Sequence, residues 1–372
     1  MRLLAPYRVL DVTDVRGQLA GMMLADLGAR VVRVDRPRAR DAIGHGALNR
    51  SRTRLGVDLK DPEGVEVVRR LAAGADGLVE GFRPGVLERL GLGPDELLAA
   101  NPGLVIGRMT GWGQDGPWAQ AAGHDVNYIA VTGALDAIGR RGGPPTVPLN
   151  LIGDFGGGAM FLVVGMLAGL LHARSTGEGQ VVDAAMVDGA SALMAMFHDL
   201  HDDGLHGLDR GTNLLDSGAW FYDVYECADG RWVSIGPIEP QFRAELVRLL
   251  DLDESFLDGD DPTTWEDLTA KMAEVLRAEP RSHWEDVLAG SDACWAPVLD
   301  LVEARSHPHL VARKTFVEVG RRTQPAPAPR FSVTPSDPPR SVDDAASADD
   351  VLVGVGYAEA EIKDLQARGV IG

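Results

Sequence analysis

A chain of 372 residues exceeds what one hydrophobic core ordinarily serves, so two domains are expected. Hydrophobic residues at 45% and charged residues at 24% describe a globular protein and exclude a disordered one. The formal charge of −19 excludes general nucleic-acid binding, which needs a basic surface.

The chain opens on strand-like sequence without a signal peptide. Residues 7–12 read as a buried strand, 18–27 as a helix and 31–35 as a second strand, a parallel βαβ unit with a right-handed crossover. Its turn, Asp14-Val15-Arg16-Gly17-Gln18, is not GxGxxG, so the dinucleotide fingerprint is absent and a nicotinamide dehydrogenase is disfavoured. Alternation continues with a strand at 55–59, a helix at 62–72 that Pro62 can open, and strands at 77–80 and 104–109. Two loops, Val57-Asp58-Leu59-Lys60 and Glu80-Gly81-Phe82-Arg83-Pro84-Gly85, fall where open α/β sheets bind ligands. Between Arg30 and Lys60, nine basic residues face three acids, a local balance of +6. Such a patch either attracts a compact polyanion or is a solvated face of strand and helix ends.

Residues 156–171 form the longest apolar run, too short for a bilayer and therefore a buried core helix. Asp154, just before it, would sit at a helix N-terminus, where free N–H groups favour negative charge. His124, in Gly123-His124-Asp125-Val126-Asn127-Tyr128, precedes it by 30 positions. An imidazole and a carboxylate flanking an oxyanion site is what proton transfer beside a carbonyl requires. The same two segments also read as an ordinary polar turn and a helix cap.

Residues 181–185 are apolar, and helical spacing runs on to about 201, carrying Met186, Met194 and Met196. Core packing is the leading role for each methionine. His198, His201 and His206 with Asp199, Asp202 and Asp203 read as a polar helix end and turn, not a metal site. Residues 220–226 and 231–235 form a hairpin around Ala228-Asp229-Gly230, followed by helices at 241–250, 264–277 and 282–289. Residues 324–329 are a proline-rich connector, and a last amphipathic helix covers 358–367. Cys227 and Cys294 are too few for a disulfide framework or a cysteine-rich zinc site and read as reduced thiols of a cytoplasmic protein.

The segments MTGWGQDGP, GHDVNY, NLIGDFGGG and IEPQF, in that order, resemble the α-methylacyl-CoA racemases of the family III CoA-transferase (CaiB/BaiF) superfamily, over about residues 9–332 with a weaker tail match. The resemblance implies an α/β fold whose large domain has a Rossmann-like parallel sheet built from both chain ends, a smaller α+β domain, and an interlocked homodimer. The corresponding domains are 1–200 (large, CoA-binding), 201–222 (linker), 223–305 (small), 306–345 (return linker) and 346–372 (helical segment completing the large domain). It also implies an acyl-CoA substrate, no cofactor beyond that CoA moiety, no metal, no nucleic acid and no membrane. By resemblance, Arg36, Arg52, Lys60, Arg83 and Arg89 contact phosphate or nucleotide, with Val57, Asp58, Leu59, Gly81 and Tyr128 lining the CoA site. In those enzymes acyl chains are thought to slide over a methionine-rich surface.

Removing the weakly acidic α-proton of a thioester needs a positioned base and a held enolate oxygen, and racemisation needs a proton donor on the opposite face. His124 and Asp154 are assigned to the two faces, with N–H groups after Asp154 holding the oxygen. Glu239 matches the racemase glutamate that orients the histidine, across the dimer interface; as plain chemistry it is also a favourable acid at a helix start. Asp125 is a supporting carboxylate. The rival is a CoA-transferase, in which the aspartate at position 154 forms a mixed anhydride. Those relatives do not require the histidine and often carry a glycine-rich flap, whereas this chain has His124 and no glycine run in residues 233–242. A catalytically silent acyl-CoA binder is disfavoured by His124, Asp154 and Glu239 occurring together. The Asp14–Arg16 turn departs from the Gly/Pro-rich turn of the racemases and leaves the acyl group open.

Overall fold

The computed structural model describes residues 3–13, 17–37, 46–257, 259–341 and 347–372. The Asp14–Arg16 turn, and Arg38 and Arg40 of the basic stretch, lie outside the described residues. The chain divides into two compact units, Met1–Thr132 with Leu149–Leu193 and Arg313–Gly372, and Gly133–Pro148 with Met194–Ala312.

The first unit is built on a six-stranded sheet of β1 (Arg8–Val12), β2 (Arg30–Asp35), β3 (Thr53–Gly56), β4 (Gly77–Glu80), β5 (Val105–Thr110) and β6 (Gln180–Ala185). Their order is β3-β2-β1-β4-β5-β6, and every pairing is parallel. Parallel strands need crossovers that cover both faces, which is why the central strands are mostly apolar and the charges they do carry, Asp11, Glu80 and Arg108, are buried. One face packs Val67, Val68 and Leu71 of helix Pro62–Ala73 with Leu352, Ile362 and Leu365 from the end of the chain. The other packs Leu24 with Leu162, Met166 and Leu170 of helix Phe161–Thr176. Helix Pro62–Ala73 starts where it does because Asp61 accepts the Glu63 N–H at 2.8 Å and Pro62 has no N–H to satisfy. Val57 forms an antiparallel bridge with Ile371, and Gly372 and Gly56 exchange N–H···O bonds at 3.0 and 2.8 Å.

The apolar run at 156–171 belongs to a longer element than its spacing indicates. A π-helix, Leu151–Met160, continues directly into helix Phe161–Thr176, making 26 helical residues long and apolar enough to cross a membrane by length and composition alone. One side of it packs against β5 and β6. Val164 and Leu171 on the other side are exposed.

The basic stretch turns largely inward, which corrects its reading as a surface patch. Arg33 pairs with Asp35 at 2.8 Å, Arg54 with Asp35 at 3.0 Å and Arg50 with Asp26 at 2.6 Å. Arg52 pairs with Asp11, both side chains 0% exposed, and also donates to the Leu48 carbonyl and Asn49 Oδ1. Burial pushes the Arg52 guanidinium down from its ordinary range while Asp11 pulls it up. A Cβ at Gly21 would lie among Asp11 Oδ2 and Arg52 Nη1, so only glycine lets helix Gln18–Asp26 pass over the pair.

The second unit carries a three-stranded antiparallel sheet of β7 (Asp223–Glu226), β8 (Trp232–Ile235) and β9 (Trp295–Val298). Helices Pro240–Leu249, Trp265–Arg277 and Arg281–Leu288 pack a core of Trp220, Phe221, Tyr225, Trp265 and Trp284. Here the structure redraws the expected boundaries. The unit comprises Gly133–Pro148 and Met194–Ala312 rather than 223–305; residues 213–222 supply Trp220 and Phe221 to its core, and 133–148 is tied by Arg140 to Asp223 at 2.5 Å. The expected linker 306–345 is not bare chain. It contains a hairpin of β10 (Phe316–Val319) and β11 (Arg322–Pro325), whose Gln324 is buried where the sequence reads as a proline-rich connector.

Arg52→Ala strands the Asp11 carboxylate in a dry interior and should cost about 3–5 kcal/mol of unfolding free energy in denaturant titration. A cost below about 1 kcal/mol would mean that the pair is dispensable to the fold.

Candidate active site

In the order β3-β2-β1-β4-β5-β6 the winding reverses between β1 and β4, and open α/β sheets bind ligands outside the carboxyl ends of the strands at that point. The loop after β4 therefore stands at the reversal. Gly81, Phe82, Arg83 and Pro84 from that loop line an open cleft of about 170 Å³, together with Thr110 at the end of β5, Gly111 and Trp112 after it, and Gly123, His124 and Tyr128.

His124 immediately precedes helix Asp125–Ala130 and is exposed. Its backbone N–H donates to Asn127 Oδ1 at 3.1 Å and its carbonyl accepts the Asn127 N–H at 2.8 Å, so the local turn is satisfied without the imidazole. Among the described residues the ring makes no hydrogen bond, and it lies on the cleft wall. Tyr128 is buried, donates its hydroxyl to the Gly123 carbonyl and meets Trp112 edge-on at 4.9 Å. It shapes the floor beneath His124, and it leaves no room for a side chain at Gly111 or Gly123.

Asp125 points inward. Its buried carboxylate accepts the backbone N–H of Asp154 at 2.7 Å, which joins the histidine segment to the aspartate segment. Asp154 is buried, and its Oδ2 accepts from Asn150 Nδ2 at 3.2 Å. The segment carrying it is crowded: a Cβ on Gly153 would lie 2.7 Å from Asp125 Oδ2, and one on Gly157 would lie 2.5 Å from the Ala190 nitrogen. The glycines of NLIGDFGGG are thus there for the close approach of the π-helix to helix Met186–Leu193 and to Asp125.

The oxyanion expectation needs correction. Asp154 is the fourth residue of the π-helix, so N–H groups from Phe155 onward fall in its i→i+5 ladder, and the Asp154 N–H is held by Asp125. The donors after Asp154 are not free ends.

Of the residues expected to contact CoA, Gly81, Arg83 and Tyr128 line the cleft; Arg36, Lys60 and Arg89 are exposed at strand and helix ends. Asp58 accepts the Lys60 N–H at 3.0 Å and donates its own N–H to the Val370 carbonyl at 2.8 Å; Leu59 packs on the first core. Val57 is buried. Arg52, with both Nη groups committed to internal acceptors and no exposed surface, has nothing to offer a phosphate; the charge count could not show that its partner lay 41 positions earlier. Glu239 belongs to the second unit, exposed ahead of helix Pro240–Leu249. Sequence reasoning missed Asn150, whose place four residues before Asp154 was the available signal, and the buried Glu80–Arg108 pair at 2.8 Å.

The sheet reverses beside a cleft at its carboxyl edge, a buried carboxylate joins the segment of His124 to that of Asp154, and the chain belongs to CoA-transferase family III, whose model matches residues 4–346. It is 39% identical over 369 residues to the α-methylacyl-CoA racemase of Mus musculus, covering 98% of this chain and 96% of the relative; racemases are isomerases. It is 30% identical to the succinyl-CoA–D-citramalate CoA-transferase of Chloroflexus aurantiacus, over 100% of this chain and 98% of that one. Among solved structures, a CaiB/BaiF family protein from Brucella suis superposes with a TM-score of 0.79 at 25% identity, covering 94% of this chain and 99% of its own.

Asp125→Ala removes the acceptor of a buried N–H and should cost about 1–3 kcal/mol in denaturant titration, with Asp125→Asn recovering part of it because the amide oxygen still accepts. Equal losses in the two variants would show that the charge, not the hydrogen bond, is what matters there.

Proposed function

We propose that the protein racemises 2-methylacyl-CoA thioesters by 1,1-proton transfer through an enolate, with His124 and Asp154 as the two bases. The observation that carries this reading is the Asp125 bridge, which fixes the backbone of Asp154 to the residue following His124. In one direction the Asp154 carboxylate takes the C2 proton and the protonated imidazole of His124 returns a proton to the opposite face; for the other enantiomer the roles exchange. The free ring of His124 on the cleft wall and the buried position of Asp154 suit these tasks. Glu239 orients the imidazole from a second copy of the chain, fixing its tautomer. Arg83, Arg36, Lys60 and Arg89 attract the CoA phosphates at the carboxyl edge of the sheet, and Arg52 is left out of that set. The exposed apolar side chains Met160, Phe161, Val164 and Leu171 along one helix support pairing of two copies as a homodimer.

The second reading is a CoA-transferase in which the Asp154 carboxylate attacks the thioester carbonyl, expels CoA and holds the acyl group as a mixed anhydride. The similarity to a D-citramalate CoA-transferase across the full chain favours keeping it.

In D₂O, a single enantiomer of a 2-methylacyl-CoA should lose optical purity while deuterium enters C2. His124→Ala and Asp154→Asn should each slow both processes by about 10²–10⁴-fold. CoA passing to an added carboxylic acid, without C2 exchange and dependent on Asp154, would replace the racemase reading with the transferase one.

A further inference from the structure

The loop that lines the cleft is held by a buried charge that neither catalytic assignment uses. β4 pairs with β1 and β5 up to Glu80 and then leaves the sheet, so the Phe82 N–H has no strand partner. Glu80, 0% exposed, supplies one: its Oε2 accepts that N–H at 2.7 Å. Its Oε1 accepts from Arg108 Nε at 2.8 Å, and Arg108 Nη1 donates to Glu88 Oε1 at 2.8 Å. Glu88 lies in the short helix Val86–Arg89 that follows the loop. On the outer side, Gln120 Nε2 donates to the Pro84 carbonyl at 3.1 Å. Phe82 packs on the first core, and Arg83 is exposed at the cleft.

We infer that Glu80 is a positioning residue: its carboxylate, neutralised by Arg108, fixes the 81–83 turn so that the Arg83 guanidinium meets a phosphate of the CoA substrate at the cleft. This rests on the CoA reading of the site. A carboxylate in the interior carries a desolvation cost, and burial does push the Glu80 carboxyl up while Arg108 pulls it down. A neutral acceptor would satisfy the Phe82 N–H without that cost. The charge makes sense as a joint, because one rigid fork, Arg108, grips residues on both sides of the loop and removes its freedom before substrate arrives.

The test is calorimetric titration of the full-length protein with CoA, alongside amide exchange of the ligand-free protein. Glu80→Ala should weaken CoA binding by roughly tenfold, as should Arg83→Ala, and the double variant should be no weaker than either. Glu80→Gln, which keeps an acceptor for Phe82, should retain more affinity than Glu80→Ala. Exchange at the Phe82 amide should quicken in Glu80→Ala. Glu80→Asp, which draws the acceptor back while keeping the charge, serves if Glu80→Ala does not fold. CoA affinity unchanged in Glu80→Ala, or losses that simply add in the double variant, would overturn the inference. Wild-type protein that does not bind CoA would instead overturn the CoA reading, and unaltered Phe82 exchange would separately show that Glu80 does not hold the turn.

Discussion

The 2.7 Å hydrogen bond from the Asp154 N–H to Asp125 Oδ2 joins segments 29 positions apart, and the local architecture accommodates it. Gly153 cannot carry a side chain, because a Cβ would press on the same carboxylate. The π-helix then brings Gly157 against the backbone of Gly189 and Ala190, and Gly158 against Met109 of β5. An ordinary α-helix uses fewer residues per hydrogen-bonded turn; the wider turn changes which residues face the neighbouring backbone. The aspartate thus sits on a rigid helical element, its N–H held by Asp125 and its carboxylate by Asn150.

Much of the first unit was legible because its physics is local. Strands covered on both faces are dominated by apolar residues, and helices between them must show a buried stripe, so β1, β2, β4 and β5 and the helices Gln18–Asp26 and Pro62–Ala73 could be read within a residue or two. The π-helix could not: over ten residues that include Gly153, Gly156, Gly157 and Gly158, apolar spacing does not separate i→i+5 from i→i+4. β9 and β11 were missed for a related reason. Each is four residues long, and Pro297 and Pro325 in them read as breakers until the edges they occupy are known.

Charge was the least legible property. Summing the basic residues of 30–60 gives a surplus, but Arg50 is answered by Asp26 and Arg52 by Asp11, 24 and 41 positions away. A buried ion pair of this kind is a poor source of net stability and a strict condition on assembly, since either partner alone is very costly. His124, Asp125 and Asp154 could be picked out as candidates because their motifs are contiguous. Glu80 was not, because nothing in EGFRPG says that its first carboxylate faces inward.

The threading of the chain has a consequence for how the protein is made. Every residue of the second unit has been synthesised by Ala312, whereas the first unit still lacks Leu352, Ile362 and Leu365 of its core and the Ile371 bridge to Val57. During translation, then, the later-starting unit can close while the unit that began first waits with one face of its sheet covered only in part, by helix Pro62–Ala73 and the segments after it. The part left open is apolar, and the interval before the final helices arrive is when the nascent chain is most exposed to chaperones and to self-association.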